Sequence, residues 1–447
     1  MLNKRMMTRR EILQSVGMGF GGCGLASAAA TTHFPVKAKH IIFVFLNGGP
    51  SQVDTFDPKP ELQKHHGKPM PAGPNLRTER KTGNLLGSPF TFHRRGKSGI
   101  EISEIFPRLG QNIDEFAVIR SMYTDRPNHE PSLLIMNCGV PLPGKPSMGS
   151  WLSYGLGSMN KNLPGFVVLC PGVPVIGSQL WSSAFLPAVH QGVHLETKEK
   201  DVRKLVPYIT PRRGAEEQRR QMDLLASLNK LQAESKFESG VESMEVAFRM
   251  QKEAPEVFDI TKEPEKVRER YGDTAIGRGC LMARRMVEKG VRMVQIYHGN
   301  GQPWDNHDDI QIHRTLAREA DPAIGSLIED LRERDMLKET IVLVGGEFGR
   351  TPSVEVSGLV SHQNGRDHNN HGYSMLVAGG GFKGGITYGA TDDFGFKAVD
   401  KRVYAHDLQA TMLHQMGIDH TKLTYRYGGR DFRLTDVGGS VIHDLLA

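Results

Sequence analysis

Four groups of residues that can bind metals or move protons each follow a short apolar run typical of a buried strand. The runs cover 41–46, 117–120, 293–297 and 341–344. The groups that follow them are Asn47, Asn128-His129-Glu130-Pro131-Ser132, Trp304-Asp305-Asn306-His307, and Glu347. Open α/β sheets form their sites just beyond the carboxyl ends of their strands, so we expect these groups to meet. The sequence therefore predicts one shared site for a divalent metal cofactor (Zn, Mn or Ca; one or two ions).

The densest of these groups lies in the loop that begins at Trp304. Alternate residues of an extended segment project to the same side, so Asp305 and His307 can reach one ion, and we predict both as metal ligands. The alternative is an acidic loop that caps a helix. Asp308 and Asp309 fit solvent-exposed or capping positions better than ligand positions.

The group around Glu347 follows two glycines, which let the backbone turn sharply at the end of a strand. This turn leaves the carboxylate of Glu347 at the strand end as a further candidate ligand. Arg350 could hold an anionic oxygen through its planar guanidinium group. The alternative is an internal ion pair between Glu347 and Arg350 that stabilises the loop.

A later group, Asp367-His368-Asn369-Asn370-His371, precedes another strand-like run at 374–378. Two histidines three residues apart can both bind an ion from one turn. We predict Asp367, His368 and His371 as candidate ligands.

Residues 128–132 precede a helix that we predict to begin near Pro131 and to end at Gly139. The free N–H groups at a helix N-terminus suit a sulfate or phosphate oxyanion. His129 is therefore a candidate general base or nucleophile, with Ser132 as the reserve candidate. Simple capping of the helix by His129 or Asn128 is the alternative.

Strand-like and helix-like segments alternate along the chain. This alternation predicts an α/β three-layer sandwich, with a mostly parallel central sheet and helices on both faces. One amphipathic helix is predicted to start at Asp321 and Pro322, which suit a cap and a first turn. Leucines at helical spacing among many charges predict a helical insertion at about 212–256.

The first thirty residues have the form of a twin-arginine signal peptide. Thr8-Arg9-Arg10-Glu11-Ile12-Leu13 supplies the arginine pair, a Gly/Ala-rich apolar stretch follows over 16–30, and Ala26-Ser27-Ala28 offers a cleavage site. The alternatives are an amphipathic N-terminal helix and lipidation at Cys23. The segment predicts a periplasmic or secreted protein whose partner is the twin-arginine export machinery. No later run of about 18 apolar residues predicts a membrane span.

Composition narrows the class of protein. The net charge of +6 comes from scattered basic residues without interleaved aromatic residues, which argues against nucleic acid as a partner. It favours anionic substrates only weakly. Cys138, Cys170 and Cys280 are too widely spaced for a zinc motif, so we expect them to be buried.

The order of these motifs resembles the alkaline phosphatase superfamily, which includes sulfatases, phosphodiesterases and cofactor-independent phosphoglycerate mutases. More closely, the chain from 38 to 447 resembles an uncharacterised sulfatase-like, twin-arginine-exported bacterial family that is grouped as a domain of unknown function. The segments that carry this closer resemblance are 45–54, Glu347-Phe348-Gly349-Arg350-Thr351-Pro352 and Gly365-Arg366-Asp367-His368-Asn369. The resemblance implies the fold of alkaline phosphatases and sulfatases.

The resemblance also implies roles for single residues. Asn47 stands where the superfamily has a metal-binding aspartate on the first strand, and His371 resembles its final histidine ligand. Asp305 and His307 resemble an aspartate–histidine loop with closer spacing. At the sulfatase nucleophile this chain has His129 to Ser132, so the formylglycine precursor is absent.

Taken together, the resemblance implies a metal-dependent hydrolase of an anionic sulfate or phosphate ester, such as a sulfated or phosphorylated saccharide. The alternative function is a degenerate, non-catalytic binding protein of the cell envelope on the same fold.

Overall fold

The computed structural model of the chain describes residues 32–71, 78–206, 209, 214–232 and 235–447. The twin-arginine motif, the cleavage site and Cys23 all lie outside these residues. No helix in the described part combines the length and apolar character that crossing a membrane requires.

The strands assemble into one large sheet and four small ones. Five strands of the large sheet (β1, β6, β8, β9 and β12 in the list below) are buried along their whole length, as their continuous apolar sequences predict. In chain order the strands are β1 (His40–Phe45), β2 (Thr82–Leu85), β3 (Phe92–Arg95), β4 (Ile100–Ser103), β5 (Phe116–Tyr123), β6 (Phe166–Cys170), β7 (Val193–Glu196), β8 (Met293–Tyr297), β9 (Thr340–Gly345), β10 (Gly349–Glu355), β11 (Arg366–Asn369), β12 (Tyr373–Ala378), β13 (Ile386–Tyr388), β14 (Ala390–Thr391), β15 (Ala398–Asp400), β16 (Val403–Tyr404), β17 (Tyr425–Tyr427) and β18 (Arg430–Phe432).

The helices cover the large sheet and form the connections between its strands. In chain order they are α1 (Gln52–Thr55), α2 (Pro60–Lys64), α3 (Pro107–Gln111), α4 (His129–Cys138), α5 (Met148–Leu156), α6 (Val202–Leu205), α7 (Ala215–Gln232), α8 (Ser235–Val257), α9 (Glu265–Tyr271), α10 (Ala275–Glu288), α11 (Ile312–Glu333) and α12 (Ala405–Gln415).

The large sheet has the strand order β13-β5-β12-β9-β1-β8-β6-β7, and β16 also pairs with β5. β12 runs antiparallel to both of its neighbours, while the other pairs of this sheet are parallel. The predicted mostly parallel sheet is therefore confirmed.

Each face of this sheet is packed against its own set of helices. Ile42 and Val44 of β1 point into a core that includes the buried sides of α10 and α11. Ile41 and Phe43, which alternate with them, point into a second core that includes α4, α5 and α12. The prediction of a three-layer α/β sandwich is confirmed.

The prediction that a helix starts at Asp321 and Pro322 is wrong. α11 begins at Ile312, and Pro322 lies inside it, where it removes one helical hydrogen bond. The apolar face of this long helix is fully buried, which offsets that loss. The Asp321 carboxylate caps a different helix, α3, because it accepts the backbone N–H groups of Arg108 (2.9 Å) and Leu109 (2.7 Å).

The strand register brings the predicted groups to one edge of the sheet. Phe45 at the end of β1 pairs with Tyr297 of β8 and with Gly345 of β9. The chain segments that follow these three strands therefore leave the sheet side by side. α4 starts nearby and ends at Gly139, as predicted, with a left-handed φ of 75°.

Candidate metal centre

Three histidines from separate parts of the chain converge on one carboxylate oxygen. The Asp305 Oδ1 atom lies 3.2 Å from Nε2 of His129, 2.8 Å from Nε2 of His307 and 3.1 Å from Nε2 of His368. The loop after β8 supplies Asp305 and His307, the first turn of α4 supplies His129, and β11 supplies His368. The prediction that Asp305 and His307 lie together is therefore met, and His129 and His368 join them.

A glutamate contacts the other ring nitrogen, Nδ1, of each histidine. The Nδ1–H of His129 donates to Oε1 of Glu347 over 2.7 Å. The three pairs are His129 with Glu347, His307 with Glu355, and His368 with Glu79. A carboxylate behind an imidazole fixes the tautomer and the ring orientation and makes the opposite nitrogen a better metal ligand.

The donor set fits a divalent cation. Two guanidinium groups face five carboxylates, an excess of three negative charges when the imidazoles are neutral. The carboxylates are Glu79, Asp305, Glu347, Glu355 and Asp367, and the guanidinium groups are those of Arg80 and Arg350. Nε2 of His307 and Nε2 of His368 lie only 3.1 Å apart. Because Nδ1 of each ring faces a carboxylate, each neutral ring carries its proton on Nδ1 and has a lone pair on Nε2. A cation between these two lone pairs would remove their repulsion.

The Asp367 carboxylate is a further candidate ligand. Its Oδ2 atom accepts the backbone N–H of Arg80 over 2.6 Å. Its Oδ1 atom is buried and has no hydrogen-bond partner among the described residues. An imidazole and carboxylate set of this kind suits zinc or manganese.

The electrostatics of the centre favour a cation beside Asp305. Burial alone would raise the pKa of the Asp305 carboxyl, but the charge of Arg350 and the hydrogen bonds from the three imidazoles hold this pKa well below its usual range. Burial lowers the pKa of His129, but the hydrogen bonds with Asp305 and Glu347 outweigh burial and raise that pKa above its usual value. A proton on His129 therefore competes with a metal ion for Nε2.

Arg350 is fully buried and acts inside the protein. Its guanidinium group contacts Asp305 Oδ1 over 2.5 Å, the carbonyl of Gly49 over 2.9 Å and the carbonyl of Gly48. Its ion pair is with Asp305, whereas Glu347 pairs with His129. A contact between Arg350 and a substrate anion stays a prediction.

Gly48 lets the end of β1 approach the Asp305 loop closely. Its φ of 109° lies in the left-handed region. A Cβ atom built there would lie 2.6 Å from the Asp305 backbone nitrogen. Its N–H also donates to Oε1 of Glu347 over 3.0 Å. Only glycine meets these demands without strain.

Three other predicted residues lie outside the contacts around Asp305. The Asn47 side chain donates to the carbonyl of Gly301 over 2.5 Å, and its Oδ1 atom is buried without a partner among the described residues. The Ser132 hydroxyl donates to the carbonyl of Arg126 over 2.7 Å. His371 packs against the ring of Phe396 and belongs to none of the described groups of three or more potential metal ligands.

The sequence reasoning did not find Glu79 or Glu355. Glu355 ends the buried strand β10, but this strand has the polar sequence Gly-Arg-Thr-Pro-Ser-Val-Glu, so no apolar run marked its carboxylate as buried. Glu79 belongs to a loop-rich stretch, and only its contact with His368, 289 positions later, gives it a role.

Several solved structures resemble this fold at low identity. Ps i-CgsB is 12% identical, with a TM-score of 0.36, and the match covers 85% of this chain and 72% of that chain. The PsFucS1 sulfatase from Pseudoalteromonas sp. is 11% identical, with a TM-score of 0.35 and coverage of 92% and 72%. A mutant of TAB5 alkaline phosphatase with bound Mg is 11% identical, with a TM-score of 0.35 and coverage of 85% and 97%. These likenesses are too weak to transfer a reaction, a substrate or an ion to this chain.

The family of the chain follows from the sequence match itself. A comparison with curated proteins finds no match. A family model matches residues 38–446, which include the sheet and every residue of the candidate metal centre. The chain therefore belongs to the family described as protein of unknown function (DUF1501).

Proposed function

We propose that this chain is a divalent-metal-dependent hydrolase of sulfate or phosphate esters. The observation that carries the proposal is the convergence of three imidazole Nε2 atoms on Asp305, each imidazole having a glutamate at its other nitrogen. Such an arrangement fixes the tautomer and the orientation of each imidazole and strengthens it as a metal ligand. A side-chain exposure of 22% for Asp305 leaves one side of the centre open to a substrate.

Each residue of the centre has a distinct task in this proposal. Asp305, His129, His307 and His368 hold the ion, Glu79, Glu347 and Glu355 orient the imidazoles, and Arg350 keeps Asp305 in place. A bound divalent ion would polarise the ester and lower the pKa of a water molecule. These positions support a ligand role for His129, ahead of its predicted role as base or nucleophile.

Water is the proposed nucleophile. Among the described residues, no serine, threonine or cysteine side chain hydrogen-bonds to Asp305 or to the three imidazoles. The Ser132 hydroxyl is engaged with the carbonyl of Arg126. The chain's own contribution is therefore to bind the ion and to hold the residues that bind it in place.

We also propose export by the twin-arginine route, with residues 1–30 as the signal peptide. The motif around Arg9 and Arg10 supports this localisation. Replacing both arginines by lysine should leave the protein in the cytoplasm. Fractionation of cells that express the parent and the double variant measures this, and unchanged export of the double variant would disprove the route.

Elemental analysis and ester hydrolysis test the enzymatic proposal. The purified parent should contain stoichiometric divalent metal and should hydrolyse an aryl phosphate or an aryl sulfate. Asp305→Asn and His307→Ala should lose both metal and activity. His93→Ala, which changes an exposed histidine of β3 that belongs to none of the described groups of potential metal ligands, is the matched control. Unchanged metal content in the first two variants would refute the assignment.

A second candidate function, a non-catalytic binding protein, is favoured by one observation. The buried guanidinium group of Arg350 is engaged within the protein and so is not available to an ester. Full metal occupancy without turnover of any phosphate or sulfate ester would support this second function.

A further inference from the structure

A metal centre with so many carboxylates repels an anionic ester unless a cation faces the substrate. With one divalent ion bound, the five carboxylates and two guanidinium groups still leave one negative charge in excess. General attraction cannot hold the anion there, so a directed contact is needed. Arg350 is fully buried and already bound to carbonyls and Asp305, so this contact is better supplied by a guanidinium group that is exposed.

We propose that Arg80 binds the anionic head group of the ester at the open side of the metal centre. This inference rests on the proposed function and names the residue that recognises the sulfate or phosphate group. Arg80 is 29% exposed at its side chain, whereas the guanidinium group of Arg350 is not exposed at all. It is thus the guanidinium group of the centre that a dissolved anion can reach.

The backbone of Arg80 is held in place while its side chain keeps free donors. The backbone N–H donates to Oδ2 of Asp367 over 2.6 Å. Among the described residues, the guanidinium group makes one hydrogen bond, from Nη1 to Oε1 of Glu355 over 3.3 Å. A guanidinium group carries five N–H donors in a planar fork, so four remain for an oxyanion.

The neighbours of Arg80 tie it to the metal ligands. Glu355 also contacts Nδ1 of His307, and the preceding residue, Glu79, contacts Nδ1 of His368. Arg80 therefore follows Glu79, which orients His368, and contacts Glu355, which orients His307. The proposal requires the long side chain of Arg80 to extend from Glu355 to an anion bound to the metal at these imidazoles.

Titration of the metal-loaded protein with inorganic phosphate and inorganic sulfate tests the inference. Arg80→Gln should weaken binding of the preferred anion roughly tenfold or more, because it removes charge-assisted hydrogen bonds. Arg80→Lys keeps the charge without the planar fork of donors, so its anion affinity should lie between those of the parent and Arg80→Gln. In all variants the metal content should equal that of the parent, and in steady-state assays Arg80→Gln should raise KM more than it lowers kcat.

Arg314→Gln is the matched control, since Arg314 is also partly exposed and pairs with a glutamate, Glu104 (2.7 Å), away from the centre. Anion affinity of Arg80→Gln within twofold of the parent, or parallel loss of metal in that variant, would overturn the inference. So would a metal-loaded parent that binds neither anion. A parent that is purified without metal counts against the proposed function alone, because the titration is then made with the parent and the variants loaded with added divalent ion.

Discussion

Replacing Glu347 by glutamine tests whether the glutamates behind the histidines support a metal ion. Glu347 is fully buried and accepts the Nδ1–H of His129 over 2.7 Å and the N–H of Gly48 over 3.0 Å. Glutamine keeps the shape and one acceptor oxygen but removes the charge. The substitution therefore isolates the electrostatic support of His129 from its packing.

The expected loss follows from one charge-assisted hydrogen bond. Such a bond contributes about 1.5–3 kcal/mol, and the loss of a carboxylate behind a ligating histidine typically weakens metal binding about 10- to 100-fold. We expect Glu347→Gln to fall in that range, about 1.4–2.7 kcal/mol. Competition with a chromophoric chelator at pH 7.5 measures the affinity, and thermal unfolding with and without metal gives an independent value.

Glu61→Gln is the control for this experiment. Glu61 also faces a histidine nitrogen, Nδ1 of His65 at 3.5 Å, but on the surface of α2. The Glu61→Gln variant should bind metal with the affinity of the parent. Metal affinity of Glu347→Gln within twofold of the parent would show that Glu347 gives His129 no support, and the coordination proposed here would then be wrong.

Three further predictions concern stability. Burial lowers the pKa of His313 to about 3, so its contribution to stability is complete above pH 6.5 and is lost as the pH falls towards 3. Between pH 4 and 6 the free energy of unfolding should therefore rise by about 1.4 kcal/mol per pH unit because of this histidine. Urea unfolding of His313→Gln should show that this part of the slope is gone, and an unchanged slope would contradict the prediction. Burial raises the pKa of Asp321 to about 6, so its contribution has the opposite sign: it is greatest below about pH 4 and declines by roughly 3 kcal/mol as pH rises through 6, a decline that Asp321→Asn should abolish in the same assay. Gly48→Ala should lower stability by roughly 2 kcal/mol or more and reduce the metal content, because the added Cβ would collide with the Asp305 backbone. Gly67→Ala is the control: Gly67 has a φ of 76° and no atom within 4 Å of the added Cβ, so this variant should suffer backbone strain alone. Equal losses in both glycine variants, measured by thermal unfolding, would exclude a close contact at Gly48.

The sequence predicted the scaffold of the centre well because strand ends are a local signal. A buried apolar run followed by glycine and a polar residue occurs at both β1 and β9, and the parallel register places those ends together. Asn47, Asp305, His307 and Glu347 were accordingly predicted as one group, to which the turn before β12 added Asp367, His368 and His371. Whether each of them binds a metal stays a prediction.

The sequence did not reveal the residues that complete the centre through tertiary contacts. Glu79 and Glu355 face imidazoles that lie far away along the chain, and the local sequence around a carboxylate does not indicate which distant residue it contacts. The helix start at Asp321 failed for a related reason. Its capping signal is real, but the carboxylate caps α3, while the apolar face of α11 continues past Pro322. Local signals identified the polar groups, and only the fold decided their partners.

The register of β1 determines whether the centre can exist at all. Phe45 is opposite Tyr297 on one side and Gly345 on the other, so Gly48 reaches the Asp305 loop and Glu347 together. Side chains of a strand alternate between the faces, so a slip by one residue would turn Ile42 and Val44 out of their core. The two apolar cores therefore fix this register, and the same register sets the position of the proposed metal ligands. Substitutions that weaken either core should reduce metal affinity even when they lie far from Asp305.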